Sequence, residues 1–372
     1  MTTLWDTTGS AVVKELAAQR RTGGAVLSGV ALTVVVVADE SRVTEAEEAA
    51  THAAEMHPCR VLIVVRRQID APAPRLDAEV QIGGRLGPGE AVVMRMYGRL
   101  ALHAESVVLP LLAADAPVVT WWHEAAPDRL ATDALGVLAD RRITDSSLAA
   151  DPLAALSTRA EDYAPGDSDL AWTRSTAWRT ALASTLDSVS GRRGDAVRIL
   201  GGAIQGDPGN ATARLLSGWL SSRSGCRIDV TAGPQHPGPS GVAAVELELD
   251  QDERVEIRAD RRGGAVISQP NRPDATVALP ERPLGDLLSE ELRRLDPDEP
   301  YSEALEAATG VHDIHDRPAV REFVWLDPAT SSARRETPAP TVPGDSEDAD
   351  EVALAGSPDD TDRPTGQDGA TA

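Results

Sequence analysis

Ten residues, Val30-Ala-Leu-Thr-Val-Val-Val-Val-Ala-Asp39, constrain the fold more than any other stretch. The run is apolar and β-branched without polar alternation, the pattern of a strand buried on both faces. Such a strand needs helices packed on the sheet that holds it, which points to an α/β layer. The residues that follow agree. Thr44 and Glu47 form a capping-box pattern. The helix they open carries Ala46, Ala49, Ala50, Ala53 and Met56 on one face and Glu47, Glu48, His52 and Glu55 on the other. Pro58 stops it. A second strand is predicted over residues 60–66. Segments 76–82 and 91–97 form a strand pair across the glycine-rich stretch 83–89. A helix over 102–112, a strand over 117–122 and a helix over 129–138 capped by Asp128 complete an N-terminal α/β domain, residues 1–147.

Asp151-Pro152 starts a helix, since proline suits the first turn. Residues 166–169 read as a loop with capping side chains, and Trp172 opens a helix running to Val189, with Trp178, Leu182 and Leu186 on one stripe. Together these make a helical connector, residues 148–190. A C-terminal α/β domain spans residues 191–327. Its predicted strands are 196–200, 227–231, 242–249, 254–259 and 265–269, with a hairpin turn at Arg261-Arg-Gly-Gly264. Its helices are 210–221, 284–295 and 301–309. Residues 328–372 carry ten acidic and three basic side chains and hardly an apolar one. Such a segment cannot bury enough surface to offset its ordering entropy, so a disordered, solubilising tail dispensable for folding is expected. The fold class is therefore α/β: two α/β domains, a helical connector and an acidic tail.

Charge and composition exclude several function classes. The net charge of −23 over 372 residues argues against nucleic acid, because phosphate binding needs clustered basic residues. The longest apolar stretch, residues 25–38, is too short to span a bilayer. Arg20-Arg21 mimics a twin-arginine signal, but Asp39-Glu40 stands where a small-residue cleavage site belongs. Cys59 and Cys226 fall in different predicted domains, so no disulfide and no redox control are expected, in keeping with a cytoplasmic chain. Lys14 is the one lysine; arginine supplies the remaining positive charge.

Few residues offer chemistry. His57-Pro-Cys-Arg60 could supply a base and a nucleophile, but no third orienting residue is evident. Gly201-Gly-Ala-Ile-Gln-Gly-Asp-Pro-Gly209, placed between a predicted strand and a helix, has the position of a phosphate-cradling loop. It lacks the Gly-Lys-Ser/Thr ending that such loops carry. It would be the site if the chain were a metabolic enzyme binding a sugar phosphate or nucleotide. Trp121-Trp122 closes a strand, so one ring should be core and the other free for an interface. Arg141 and Arg142 suit a helix C-terminus. Arg174 and Trp178, four apart, suit a cation–π pair, with Arg179 beside them. His312 and His315 have ligand-like spacing, but no second cluster completes a metal site.

One further observation comes from order and spacing. The run 30–39, His57-Pro-Cys-Arg-Val61, Arg75-Leu-Asp77 with Gly83-Gly84, Met96-Tyr97-Gly98, Trp121-Trp122 and Arg141-Arg-Ile-Thr-Asp145 follow one another in a pattern that resembles the actinobacterial OpcA proteins. Those proteins are assembly factors of glucose-6-phosphate dehydrogenase. The likeness continues through Leu170-Ala-Trp-Thr-Arg174, Trp178-Arg179 and Val197-Arg-Ile-Leu-Gly-Gly202 and covers roughly residues 1 to 325. The resemblance implies a protein without catalysis or cofactor of its own, whose partner is the dehydrogenase. It also implies a partner- or anion-binding surface, for which His57, Arg60, Trp122, Arg141, Arg142, Arg174 and Arg179 are the candidates: the first five are expected to be exposed, several of them at the strand ends where open α/β sheets gather functional residues, and the last two lie on the helix that Trp172 opens.

Overall fold

The computed structural model describes residues 1–22, 30–83, 89–233, 240–260 and 262–319. The expected tail 328–372, the middle of the 83–89 stretch and Arg261 of the expected hairpin turn lie outside the described residues.

The valine run becomes β2 (Leu32–Ala38), every residue of which is buried. Around it lie β1 (Thr2–Leu4), β3 (Cys59–Arg66), β4 (Arg75–Ile82), β5 (Glu90–Tyr97), β6 (Val118–His123), β7 (Arg141–Thr144) and β8 (Asp167–Asp169). They form one eight-stranded sheet in the order β1-β4-β5-β3-β2-β6-β7-β8. From β5 across to β8 all neighbours are parallel; β4 and β1 add an antiparallel edge. Beyond β2 lie β3, β5, β4 and β1 on one side and β6, β7 and β8 on the other, so the sheet has its topological switch point between β2 and β6.

Helices cover both faces, as a parallel sheet requires. One face packs against α2 (Val43–Met56) through Ala46, Ala49, Ala50 and Ala53, as predicted. Two details differ. Arg42, not Thr44, is the cap residue, and Met56 is 68% exposed at the helix's last position. The other face packs against α1 (Gly9–Thr22) through Val12 and Leu16. The helix expected over 102–112 is broken into α3 (Arg99–Leu102), α4 (Ala104–Val108) and a 3₁₀ turn containing Pro110. No helix forms over 129–138. Leu130 and Leu135 both enter the core, and the Leu130 carbonyl sits where a Gly136 side chain would begin. The chain therefore turns back on itself within that segment.

Asp151 caps α5 (Pro152–Glu161) through the Leu153 and Ala154 amides. Residues 167–169, expected as a loop, are instead the outermost strand β8. The long connector helix is divided at Ser175 into α6 (Leu170–Arg174) and α7 (Thr176–Arg193). A second, six-stranded sheet has the order β10-β9-β11-β12-β13-β14. Its strands are β9 (Ile199–Gly206), β10 (Asp229–Ala232), β11 (Val242–Leu249), β12 (Arg254–Ala259), β13 (Gly264–Ser268) and β14 (Ala275–Ala278). Among these described strands only β9 and β10 are parallel, joined by α8 (Ala211–Ser224), which Asn210 caps. After β14 come α9 (Leu284–Leu292) and α10 (Glu299–Thr309). Helix α9 lays Leu287, Leu288 and Leu292 into the core between the first sheet and α2, while α10 packs on α8 so closely that Gly218 has no room for a side chain.

Candidate functional site

Most of the arginines expected on a surface are structural. Arg60 is 6% exposed at the amino end of β3. It donates to Glu90 Oε2 at 2.8 Å and to the Leu111 carbonyl, and Arg20 binds the same carboxylate. Burial alone would raise the Glu90 pKa, but hydrogen bonds from the two guanidiniums outweigh it and hold the carboxyl below its usual range. Arg141 and Arg142 lie in β7 rather than at a helix end. Arg141 crosses to α9, meeting Glu291 Oε2 at 2.5 Å and the Asp296 carbonyl at 3.0 Å. Arg142 pairs with buried Asp167 of β8 and donates to the Pro165 carbonyl at 2.7 Å. Burial pushes the Asp167 carboxyl up, against the pull of Arg142. These three arginines gather at the amino edge of the sheet, opposite the expected edge, and the expectation of exposure is corrected. A charge can be buried there because each has a carboxylate across a neighbouring element.

The remaining candidates follow suit. Trp122 is fully buried in the core on the α1 face, and Trp121 is fully buried on the α2 face. The expectation of one interfacial tryptophan at this pair is therefore corrected too: alternation sends the rings to opposite faces, but both faces are covered. Arg174 binds Asp145 through both oxygens at 2.7 and 2.5 Å, rather than Trp178. The cation–π contact is made instead by Arg179, whose guanidinium carbon lies 3.6 Å from the Trp172 ring centre. His57 Nε2 donates to the Ser289 carbonyl of α9 at 2.9 Å. Cys59 is buried, and desolvation pushes its thiol up to about 12, far from a nucleophilic state. Both cysteines are free.

The glycine run is also corrected. Residues 201–206 belong to β9 and pair with β11. A side chain on Gly202 would run into the Glu246 carbonyl, so close strand approach, not phosphate, requires glycine there. His312 and His315 pair with Glu306 beside the end of α10. Among the described residues no cluster of His, Cys, Asp and Glu is arranged to hold a metal ion, and no helix is long and apolar enough to cross a membrane.

Open parallel sheets present their sites at the carboxyl ends of the strands, at the switch point. A cleft of about 390 Å³ lies there, within the range for small-ligand pockets. Ala38 of β2 is in register with His123 of β6, so Asp39 and Glu124 emerge side by side. Both line the cleft, with Arg42 at the start of α2, Asp145 at the end of β7, and Arg159 from α5. Arg159 closes one wall by donating to the Pro127 and Asp128 carbonyls at 2.7 and 3.1 Å. Behind the cleft, Asp169 accepts from the Ser146 amide, the Ser146 hydroxyl and the Thr144 hydroxyl, which fixes the β7 exit.

Glu124 is the unusual group in this cleft. Desolvation raises its pKa from 4.5 to about 7; Arg66 opposes the shift, while Asp39 and Asp133 add to it, Asp39 also through a hydrogen bond. The unfolded chain releases this proton near 4.5 and the folded chain near 7, so the folded state binds more protons between those values. Stability from this group is complete below about pH 4.5 and falls as pH rises to about 7. Glu124→Gln is expected to remove that fall and to melt higher than the parent above pH 7, as measured by thermal unfolding at pH 5 and pH 8. An unchanged difference between the two pH values would contradict the assignment. Sequence reasoning missed Asp39, Arg42, Glu124 and Arg159; the available signal was acidic residues directly after two apolar strands.

Known sequences and structures share features with this chain. A sequence model described as the N-terminal domain of a glucose-6-phosphate dehydrogenase subunit matches residues 50–161. A second model, described as the C-terminal domain of such a subunit, matches residues 165–305. A search of curated proteins finds no match. Among solved structures, an oxidoreductase from Sinorhizobium meliloti is 13% identical, with a TM-score of 0.36 over 78% of this chain and 91% of that one. An oxidoreductase from Pseudomonas syringae is 9% identical, with a TM-score of 0.34 over 80% of this chain and 91% of that one.

Proposed function

The chain belongs to the OpcA family of glucose-6-phosphate dehydrogenase assembly proteins, and from that premise we propose that it is a non-catalytic cytoplasmic activator that binds the dehydrogenase. The carrying observation is that the two family domains match residues 50–161 and 165–305, from within α2 to within α10. Binding one oligomeric state of the enzyme better than the others would shift the population toward that state. The local chemistry supports a role without catalysis. The Cys59 thiol is buried and protonated, His57 is held by the Ser289 carbonyl, and the glycine run is sheet backbone.

With Arg60, Arg141 and Arg142 buried, a different anchor takes their place. Trp5 is 70% exposed, although the chain has only seven tryptophans. The backbone that follows it is fixed. Asp6 has a positive φ of 45°, its amide donates to Asp77 Oδ1 at 2.9 Å, and the Thr7 amide donates to the Leu76 carbonyl at 2.8 Å. An exposed tryptophan is the kind of side chain that dominates interfaces. On a sizing column, the chain and its cognate dehydrogenase are expected to share a peak. Trp5→Ala should weaken that complex by about 2 kcal/mol or more while melting like the parent. Separate peaks for the parent at micromolar concentration would overturn the reading.

A further inference from the structure

The cleft at the switch point has no part in the partner reading, and its walls describe a ligand. Its positive end is Arg42, half-buried at the N-terminus of the fourteen-residue α2 and making no ion pair among the described residues. The helix dipole adds to that charge. Arg159 also lines the cleft and is only 7% exposed. Its Nη2 is occupied by carbonyls, whereas its buried Nη1 has no partner. Asp145 contributes little net charge, because Arg174 neutralises it. Beside these stand Asp39 and Glu124, groups that recognise hydroxyls by hydrogen bonding.

The walls also say what does not fit. The β2–α2 connection, Asp39-Glu40-Ser41-Arg42, has no glycine to let a pyrophosphate approach the backbone. No aromatic side chain lines the cleft, so a nucleobase has nothing to stack on. Alanines dominate the apolar wall, which suits a compact ring.

We propose that this cleft binds a sugar phosphate, with its single phosphate at Arg42 and the α2 N-terminus and its hydroxyls at Asp39 and Glu124. The protein is thereby an effector-responsive chain: a metabolite that occupies the carboxyl edge of the sheet stabilises the folded state it binds.

Titration calorimetry on the full chain with glucose 6-phosphate, glucose and inorganic phosphate tests this. Glucose 6-phosphate is expected to bind about tenfold or more tightly than either fragment, since both ends of the site must be engaged. Arg42→Ala should weaken it by about tenfold or more, because a charge-assisted hydrogen bond is lost. Ala155→Phe, which fills the cleft from α5, should abolish binding whether or not Arg42→Ala folds. The proposal is overturned if glucose 6-phosphate gives no heat at millimolar concentration, if inorganic phosphate binds equally well, or if folded Ala155→Phe binds like the parent.

Discussion

Arg141→Ala is expected to destabilise the protein by about 3–5 kcal/mol, because it leaves Glu291 buried without its cation. Both partners are nearly inaccessible, at 3% and 5% side-chain exposure. The Glu291 carboxylate is shared: Oε2 accepts from Arg141 and Oε1 accepts from the Thr173 hydroxyl at 2.6 Å. Three segments far apart in sequence, β7, α6 and α9, therefore meet at one charge. The loss should appear in urea unfolding as a lower midpoint. Arg141→Met with Glu291→Leu should recover much of it, since replacing both members of a buried pair by apolar groups is often tolerated. If Arg141→Ala alone costs no more than an ordinary surface change of about 0.5 kcal/mol, the joint is not built as described.

Arg142→Ala should cost a similar amount, about 3–5 kcal/mol at pH 8, but with a different pH signature. Its partner Asp167 is already pushed upward by burial while the guanidinium is present. Without Arg142 the folded-state pKa rises further above the unfolded value. A raised carboxyl favours the folded state at low pH and loses that advantage as pH rises. The variant's deficit is therefore expected to be smaller at pH 5 than at pH 8, because the orphaned carboxyl takes up a proton. Denaturant midpoints of parent and variant at the two pH values measure this. A deficit that is equal at both values would mean that Asp167 is not the group left behind.

These two arginines also mark where the sequence stops being legible. Strands β2 and β3 are apparent from their apolar runs, β11 and β12 from apolar residues that alternate with charged ones, and α2, α5, α8 and α10 from periodicity and caps. Each of those signals lies within a few residues. Strands β7 and β8 are not apparent, because Arg141-Arg142 and Asp167-Ser-Asp169 are polar segments made buriable by partners 25 and 150 residues away. A single sequence does not show which charges are paired. Glycine misled for the same reason: the carbonyl that excludes a side chain from Gly202 belongs to Glu246, in another strand. Small local breaks were equally hidden. Ser175 splits the expected long helix because its hydroxyl donates to the Trp172 carbonyl at 2.7 Å, and Arg179 Nε donates back to that hydroxyl at 2.9 Å.

The candidate site was less legible than the fold. Family resemblance drew attention to arginines that turn out to hold the amino edge of the sheet together. The cleft lies at the carboxyl edge, and its location depends on strand order. That order was not evident, since the antiparallel β4 lies outside β5 although it precedes β5 in the chain, and the chain then crosses to the far side of β2. Once the order is known, Asp39 and Glu124 follow from being the first residues past two paired strands.

The central claim is that this chain acts on glucose-6-phosphate dehydrogenase by binding it. The most direct measurement is the rate of the cognate dehydrogenase as the purified chain is titrated in, with the enzyme's oligomeric mass followed in the same samples. A saturable rise in rate that parallels a shift to one larger complex, with no turnover by the chain alone, is the predicted result. An unchanged rate and an unchanged mass at micromolar chain would contradict it.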